Sequence, residues 1–155
     1  MTAGVYVLIR LGASLPANLG FIIRTAGILT MLLAGLRALG EGDIKKVVAL
    51  STLSQLGIIV LAVGINCPLL AFFHLIAHAF FKALLFVGVG NFIHAAASFQ
   101  DLKVIGQNAR KLPYTRAVLV LAKARLCGLP FFSGFFSKEA ILEGLELRRS
   151  RGVLV

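Results

Sequence analysis

The sequence predicts an all-α membrane protein, a bundle of about four to five transmembrane helices. Three observations carry this. The 155-residue chain is 59% hydrophobic and only 14% charged, too little polar surface to cover a soluble core of this size. Its apolar stretches approach or exceed the roughly 20 residues that a bilayer span requires. Its 16 glycines exceed the usual content of a soluble helical bundle, and small residues let membrane helices approach closely.

The elements follow in order. Residues 1–10 read as part of a helix: the apolar stretch from Ala3 to Ile9 is too short to span and is closed by Arg10. No cleavable signal or transit peptide is recognisable there, and the start reads as abrupt, as if the chain were cut within a helix. Residues 19–39 form the next helix, rich in Leu, Ile, Gly and Ala and interrupted by Arg24 and Arg37. Glu41 to Lys46 is a charged turn in which Asp43 is placed to cap the helix over residues 44–64. That helix carries Ser51, Thr52, Ser54 and Gln55. A tight loop, Gly64 to Pro68, leads into residues 68–95, with Pro68 at the first helical position. Gly88 and Gly90 mark a bend or an early end there. Gln100 to Pro113 is a polar connector, and the last crossing covers residues 115–145 with a break around Gly128–Gly134. Cys67 and Cys127 lack CxxC spacing and read as buried, inert thiols.

His74, His78 and Lys82 stand four residues apart within the apolar run Leu70 to Phe86. Four residues turn a helix by about 400° and raise it by about 6 Å, so the three groups form one line along one face. An ionisable side chain inside a membrane helix costs several kcal/mol and is a functional candidate. Lys82 lies near the middle of the run, too deep to snorkel easily. Zinc requires three or four ligands, and no Cys or acid is suitably spaced to complete a site. The competing reading is a pair of hydrogen-bonded core histidines. His94, near a helix end, reads as interfacial.

The break is the second informative feature. Gly128, Pro130 and Gly134 cannot sustain continuous helical hydrogen bonding. Freed backbone groups are tolerated in a membrane only where protein or a water-filled cavity satisfies them, and broken helices often hold ion sites in transporters. Lys138 and Glu139 form a titratable pair just past this break. The alternative is an ordinary interfacial loop with Lys138 reaching to water.

Four segments then carry a resemblance: Ala3 to Tyr6 with Leu8-Ile-Arg10, Gly42 to Gly57, Ala71 to Phe86, and Gly128 to Glu139. In this order, over nearly the whole chain, they resemble chain 5 of mitochondrial NADH–ubiquinone oxidoreductase. That family is the distal antiporter-like membrane subunit of respiratory complex I. The related chain-4 and chain-2 families lack this His-His-Lys wording followed by Ser-Lys-acid.

The resemblance implies a proton-translocating subunit of NADH:ubiquinone reductase, multi-pass in the mitochondrial inner membrane, with no redox centre of its own. It implies that NADH, flavin, iron–sulfur clusters and ubiquinone are used in other subunits. Its partners would be other complex I membrane subunits, especially the neighbouring chain-4 subunit, and the lipid bilayer, with no nucleic acid. Lys82 would belong to a central hydrophilic axis with His74 and His78 beside it. Lys138 would sit on a broken helix leading to one aqueous side, with Glu139 at the family's acidic position. Phe136 replaces the family's usual tyrosine. The resulting expectation is a water-linked relay through His74, His78 and Lys82 to Lys138. The family is several times longer, so the chain is expected to match its central to C-terminal-middle part. Two other classes stay open: a subunit of a multisubunit cation/proton antiporter or membrane hydrogenase, and a non-catalytic membrane scaffold. No nucleophile constellation or phosphate loop argues for independent enzymatic activity, and Gly88-Val-Gly90 is too sparse for a dinucleotide fingerprint.

The formal charge of +10 is anomalous for such a chain. Arg24, Arg37, Arg116, Lys123 and Arg125 fall in apolar stretches without an acidic neighbour, and Arg148, Arg149 and Arg151 cluster at the end. The family commonly has small polar residues around Arg24, Arg37 and Arg116. Some animal mitochondria read AGA and AGG as serine, and a few read AAA as asparagine. The expectation is therefore Ser at the arginine positions and Asn at 123 in the living organism; the competing reading is charged anchors under the positive-inside rule. Sequencing the encoding DNA should find AGA or AGG at these arginines, and CGN codons would exclude the recoding.

Overall fold

The computed structural model describes residues 2–14, 16–96, 99–102, 105–106 and 112–150. Among the described residues it contains six α-helices: α1 (Thr2–Leu11), α2 (Ala17–Leu39), α3 (Ile44–Gly64), α4 (Pro68–Ala95), α5 (Pro113–Cys127) and α6 (Ser133–Ser150). Three of them, α2, α3 and α4, are each long and apolar enough to cross a membrane. α1 has 10 residues and α5 has 15, which at about 1.5 Å per residue falls short of a 30 Å hydrocarbon core. α6 carries Lys138, Glu139, Glu143 and Glu146 and is too polar to span alone. The stretch expected as the last crossing is thus two shorter helices, parted at the expected break.

The junctions follow from local chemistry. Asp43 is the N-cap of α3, its side chain accepting from the Lys45 N–H at 3.3 Å. Lys46 meets Glu41 at 3.4 Å and Asp43 at 3.9 Å, and these are the ion pairs among the described residues. Between α3 and α4, Asn66 adopts the left-handed region at φ 55°, which asparagine tolerates better than most residues. Pro68 then opens α4. The first residues of the polar connector return to the α2–α3 turn: the Ile44 N–H donates to the Gln100 carbonyl at 3.1 Å, and that of Leu102 to Gly42 at 3.1 Å. The connector is described only in part, and Arg151 and the side chains of Arg148 and Arg149 lie outside the described residues.

α2 and α3 form an antiparallel pair joined almost backbone to backbone. A Cβ on Gly27 would lie 2.7 Å from the Leu61 nitrogen, one on Gly57 2.8 Å from that of Met31, and one on Gly64 2.7 Å from that of Arg24. Seven-residue spacing, Gly20 to Gly27 and Gly57 to Gly64, keeps these absences on one face of each helix. The Ser54 hydroxyl crosses the seam to the Met31 carbonyl at 3.2 Å. The opposite face of α3 meets α4, which also packs against α1, α5 and α6. One core cluster joins Ile59 and Ala62 of α3 to Ala71 of α4 and Ile141 of α6; another joins Val48 to Leu85, Val89 and Leu119.

Two expectations need correction. Gly88 and Gly90 do not end α4, which runs to Ala95; Gly88 admits Leu119, whose side chain would meet a Cβ there at 2.7 Å. Cys127 is exposed and Cys67 half-buried, since each sits where a helix meets a turn rather than inside one. Arg24 and Arg125 lie over the rings of Phe21 and Phe132 at 5.3 and 5.6 Å, so aromatic faces stand in for the missing acids. Arg37, Arg116, Lys123 and His94 are exposed.

The glycine seam gives a direct test. Gly57→Val should drive α3 away from Met31 and destabilise the α2–α3 pair by about 1–3 kcal/mol, the usual scale of overpacking. Gly42→Ala, where a Cβ meets nothing within 4 Å, should have little effect. Thermal inactivation of the assembled membrane protein would measure both.

Candidate functional site

α4 places its polar groups inward and its large apolar ones outward. His74, His78 and Lys82 are 0%, 2% and 4% exposed, while Phe73, Phe80 and Val87 face out. This is the arrangement a lipid-facing helix requires when it carries ionisable groups. The i, i+4 spacing sets all three on the side shared with α3 and α6.

Lys82 is held by α3. Its Nζ donates to the Val48 carbonyl at 3.0 Å and to the Ser51 Oγ at 2.7 Å, using two of the three donors of an ammonium. Ser51 is itself oriented, since its hydroxyl donates to the same Val48 carbonyl at 2.8 Å. At the other end of the line, His74 Nδ1 lies 2.8 Å from the Ser137 Oγ of α6. His78 stands between them. Its ring centroid is 6.4 Å from that of His74, and its ring meets Phe81 edge to face at 5.6 Å. At 6.4 Å no pair of ring nitrogens reaches the ~3 Å of a hydrogen bond, so passage between the rings needs a bridging molecule. The Nε2 atoms of both rings are buried and have no hydrogen-bond partner.

The break brings a second cation to this line. α5 ends in a left-handed Gly128 at φ 80°, with the Leu129 N–H on the Ala124 carbonyl at 3.1 Å and that of Gly128 on Arg125 at 3.2 Å, a glycine-capped helix end. Phe131 also takes a positive φ. Pro130 has no N–H to offer the carbonyl four residues before it, and that carbonyl, on Leu126, receives Lys138 Nζ at 2.5 Å instead. Gly134 lets α6 start hard against α5: a Cβ there would collide with the Arg125 carbonyl. Ser137 follows one residue before Lys138, donates to the Gly134 carbonyl at 3.3 Å and so turns its oxygen toward His74. Lys138 and Glu139 line a cleft of about 120 Å³ with Cys127, Gly128, Phe135 and Leu142. Glu139 is exposed.

The five residues expected from the sequence thus fall into two groups. His74, His78 and Lys82 form one buried line, and Lys138 joins it from the broken helix through its neighbour Ser137. Glu139 lies outside, at the mouth of the cleft. Sequence reasoning missed the two hydroxyls that close the line at each end. Ser51 had a signal, standing in a polar cluster of an apolar helix; Ser137 was hidden among ordinary polar residues of a loop.

The NADH:quinone oxidoreductase/Mrp antiporter transmembrane family matches residues 1–154. The chain belongs to that family. Membership of a transmembrane family accords with three helices long and apolar enough to cross a membrane. Among individual relatives, NADH-ubiquinone oxidoreductase chain 5 of Aedes aegypti is 47% identical over 149 residues, covering 95% of this chain and 26% of the relative. The chain 5 of Lumbricus terrestris is 46% identical over 145 residues, with 92% and 25% covered, and that of Artemia franciscana 44% over 146, with 94% and 27% covered. The antiporter-family chain described here therefore spans about a quarter of the length of the curated relatives it matches.

Removing the α6 anchor should be costly. Ser137→Ala leaves His74 Nδ1 buried without its partner, a loss of about 1–3 kcal/mol, whereas Ser133→Ala on the exposed side of the same turn should be neutral. Thermal denaturation of the assembled protein would compare the two.

Proposed function

We propose that this chain moves protons across the mitochondrial inner membrane as part of an NADH:ubiquinone oxidoreductase. Electron transfer from NADH to quinone takes place in other subunits, with their flavin and iron–sulfur clusters, and this chain binds none of these. Its neighbours are other membrane subunits of the complex, the chain-4 subunit foremost. The likeness to chain 5 of several animals supports this reading, and one observation carries it: a buried line of three proton-exchanging groups tied to a hydroxyl at each end.

Each group can pass a proton in the place it occupies. An imidazole accepts at one ring nitrogen and releases from the other, and His74 has one nitrogen on Ser137 and the other unpartnered. A hydroxyl both accepts and donates, so Ser137 links the histidine line to the neighbourhood of Lys138. Lys82 alternates between ammonium and amine, and both forms can still donate to Val48 and Ser51. Water bridges His74, His78 and Lys82. Lys138, bound to the Leu126 carbonyl beside the cleft, is the step between this buried line and an aqueous side, with Glu139 drawing protons at the mouth.

The family's joint description with Mrp antiporters favours one second reading, exchange of protons for sodium or potassium. Cation-linked transport without quinone reduction would mark it.

Lys82→Met tests the proposal. Ser51 keeps its bond to Val48 without Lys82, so helix packing and assembly should survive while protons pumped per NADH oxidised fall to background. Undiminished pumping would overturn the relay and favour a scaffold.

A further inference from the structure

Gln55 is the one buried side chain of α3 whose polarity the relay leaves unused. It is 8% exposed, and its Oε1 has no hydrogen-bond partner, a state that costs about as much as a lost hydrogen bond. It lies one turn from Ser51 on the same face of α3, opposite the Gly57–Gly64 seam that binds α2. The Lys82–Ser51 bond marks the antiparallel register of α3 against α4 at that level, and the apolar clusters of the interface hold it. One turn further along both helices, the same register sets Gln55 level with His78. Another turn sets Ile59 level with His74, and Ala62 with Ala71, which share a core cluster. His78 is the member of the line with no anchor on another helix: Lys82 has Ser51 and His74 has Ser137. Its Nε2 is buried and unpartnered, as is the Gln55 oxygen. Two orphaned polar atoms, one on each helix at one level of a tight interface, are complementary. A side-chain amide offers both an acceptor and donors, and so serves either protonation state of an imidazole.

We propose that Gln55 is a positioning residue for His78, its side-chain amide holding the imidazole, directly or through one shared water, in line between His74 and Lys82. This rests on the relay proposed above. α3 then supplies a partner at two successive levels, Ser51 for Lys82 and Gln55 for His78. At the third level Ile59 has nothing to offer, and His74 takes its partner from α6.

The test compares Gln55→Met, Gln55→Glu and Lys82→Met in the assembled complex, reading protons pumped per NADH oxidised alongside the amount assembled. Gln55→Met keeps the shape and removes the hydrogen-bonding group. It should lower pumping several-fold, the scale of one neutral hydrogen bond, with assembly unchanged. Gln55→Glu restores an acceptor and should recover most of the loss, which a role in packing alone would not predict. Full pumping by Gln55→Met, with Lys82→Met inactive, would overturn the role of Gln55 and leave the relay standing. Full pumping by Lys82→Met would remove the relay itself. Should Gln55→Met fail to assemble, density for the unsubstituted protein decides: an amide or water joining Gln55 to His78 supports the assignment, and an amide turned to another partner overturns it.

Discussion

A charge inside a membrane helix survives only where another element answers it, and the grip of α3 on Lys82 is the clearest case here. One carbonyl, on Val48, receives the ammonium of Lys82 and the hydroxyls of Ser51 and Thr52. This concentration of donors on one acceptor marks the register of α3 against α4, which the apolar clusters of the same interface also hold. The register in turn decides which side chain faces which along the rest of the interface. The histidines are buried because Lys82 is; they share its face, and the apolar residues of α4 take the lipid side.

The other packing device is the removal of side chains. α2 and α3 approach through glycines seven residues apart, which brings backbones into contact where water would give no help in driving helices together. α3 is consequently held from both sides, mainly by close backbone contact against α2 and by apolar packing with the Lys82 bonds against α4. The two modes occupy opposite faces and do not compete. At the α5–α6 break both appear at once: Gly134 permits contact, and Pro130 leaves a carbonyl open for Lys138.

The sequence made most of this legible, for reasons that differ residue by residue. Asp43 and Pro68 announce helix starts by local chemistry, and both stand at their expected positions. The break at Gly128–Pro130 was readable because its causes lie within the residues concerned. The His74–His78–Lys82 line followed from helical spacing alone. What could not be read depended on distant partners. Nothing near Ser137 in sequence indicates a histidine 63 positions away. Gly88 looks like a weak point until Leu119 fills the space. Cys127 seemed buried because its neighbours are apolar, whereas exposure depends on where the half-helix stops.

The Val48 carbonyl also has a mechanical meaning. An ammonium pulls on a carbonyl more strongly than an amine does, charge-assisted bonds being roughly twice as strong as neutral ones. Gain or loss of a proton at Lys82 therefore changes the tension between α4 and α3. Because α3 and α2 approach main chain to main chain at their glycines, little side-chain packing lies between them there to take up such a displacement. A proton gained or lost at that one nitrogen would therefore bear first on the α3–α4 contact and, through the glycine seam, on α2.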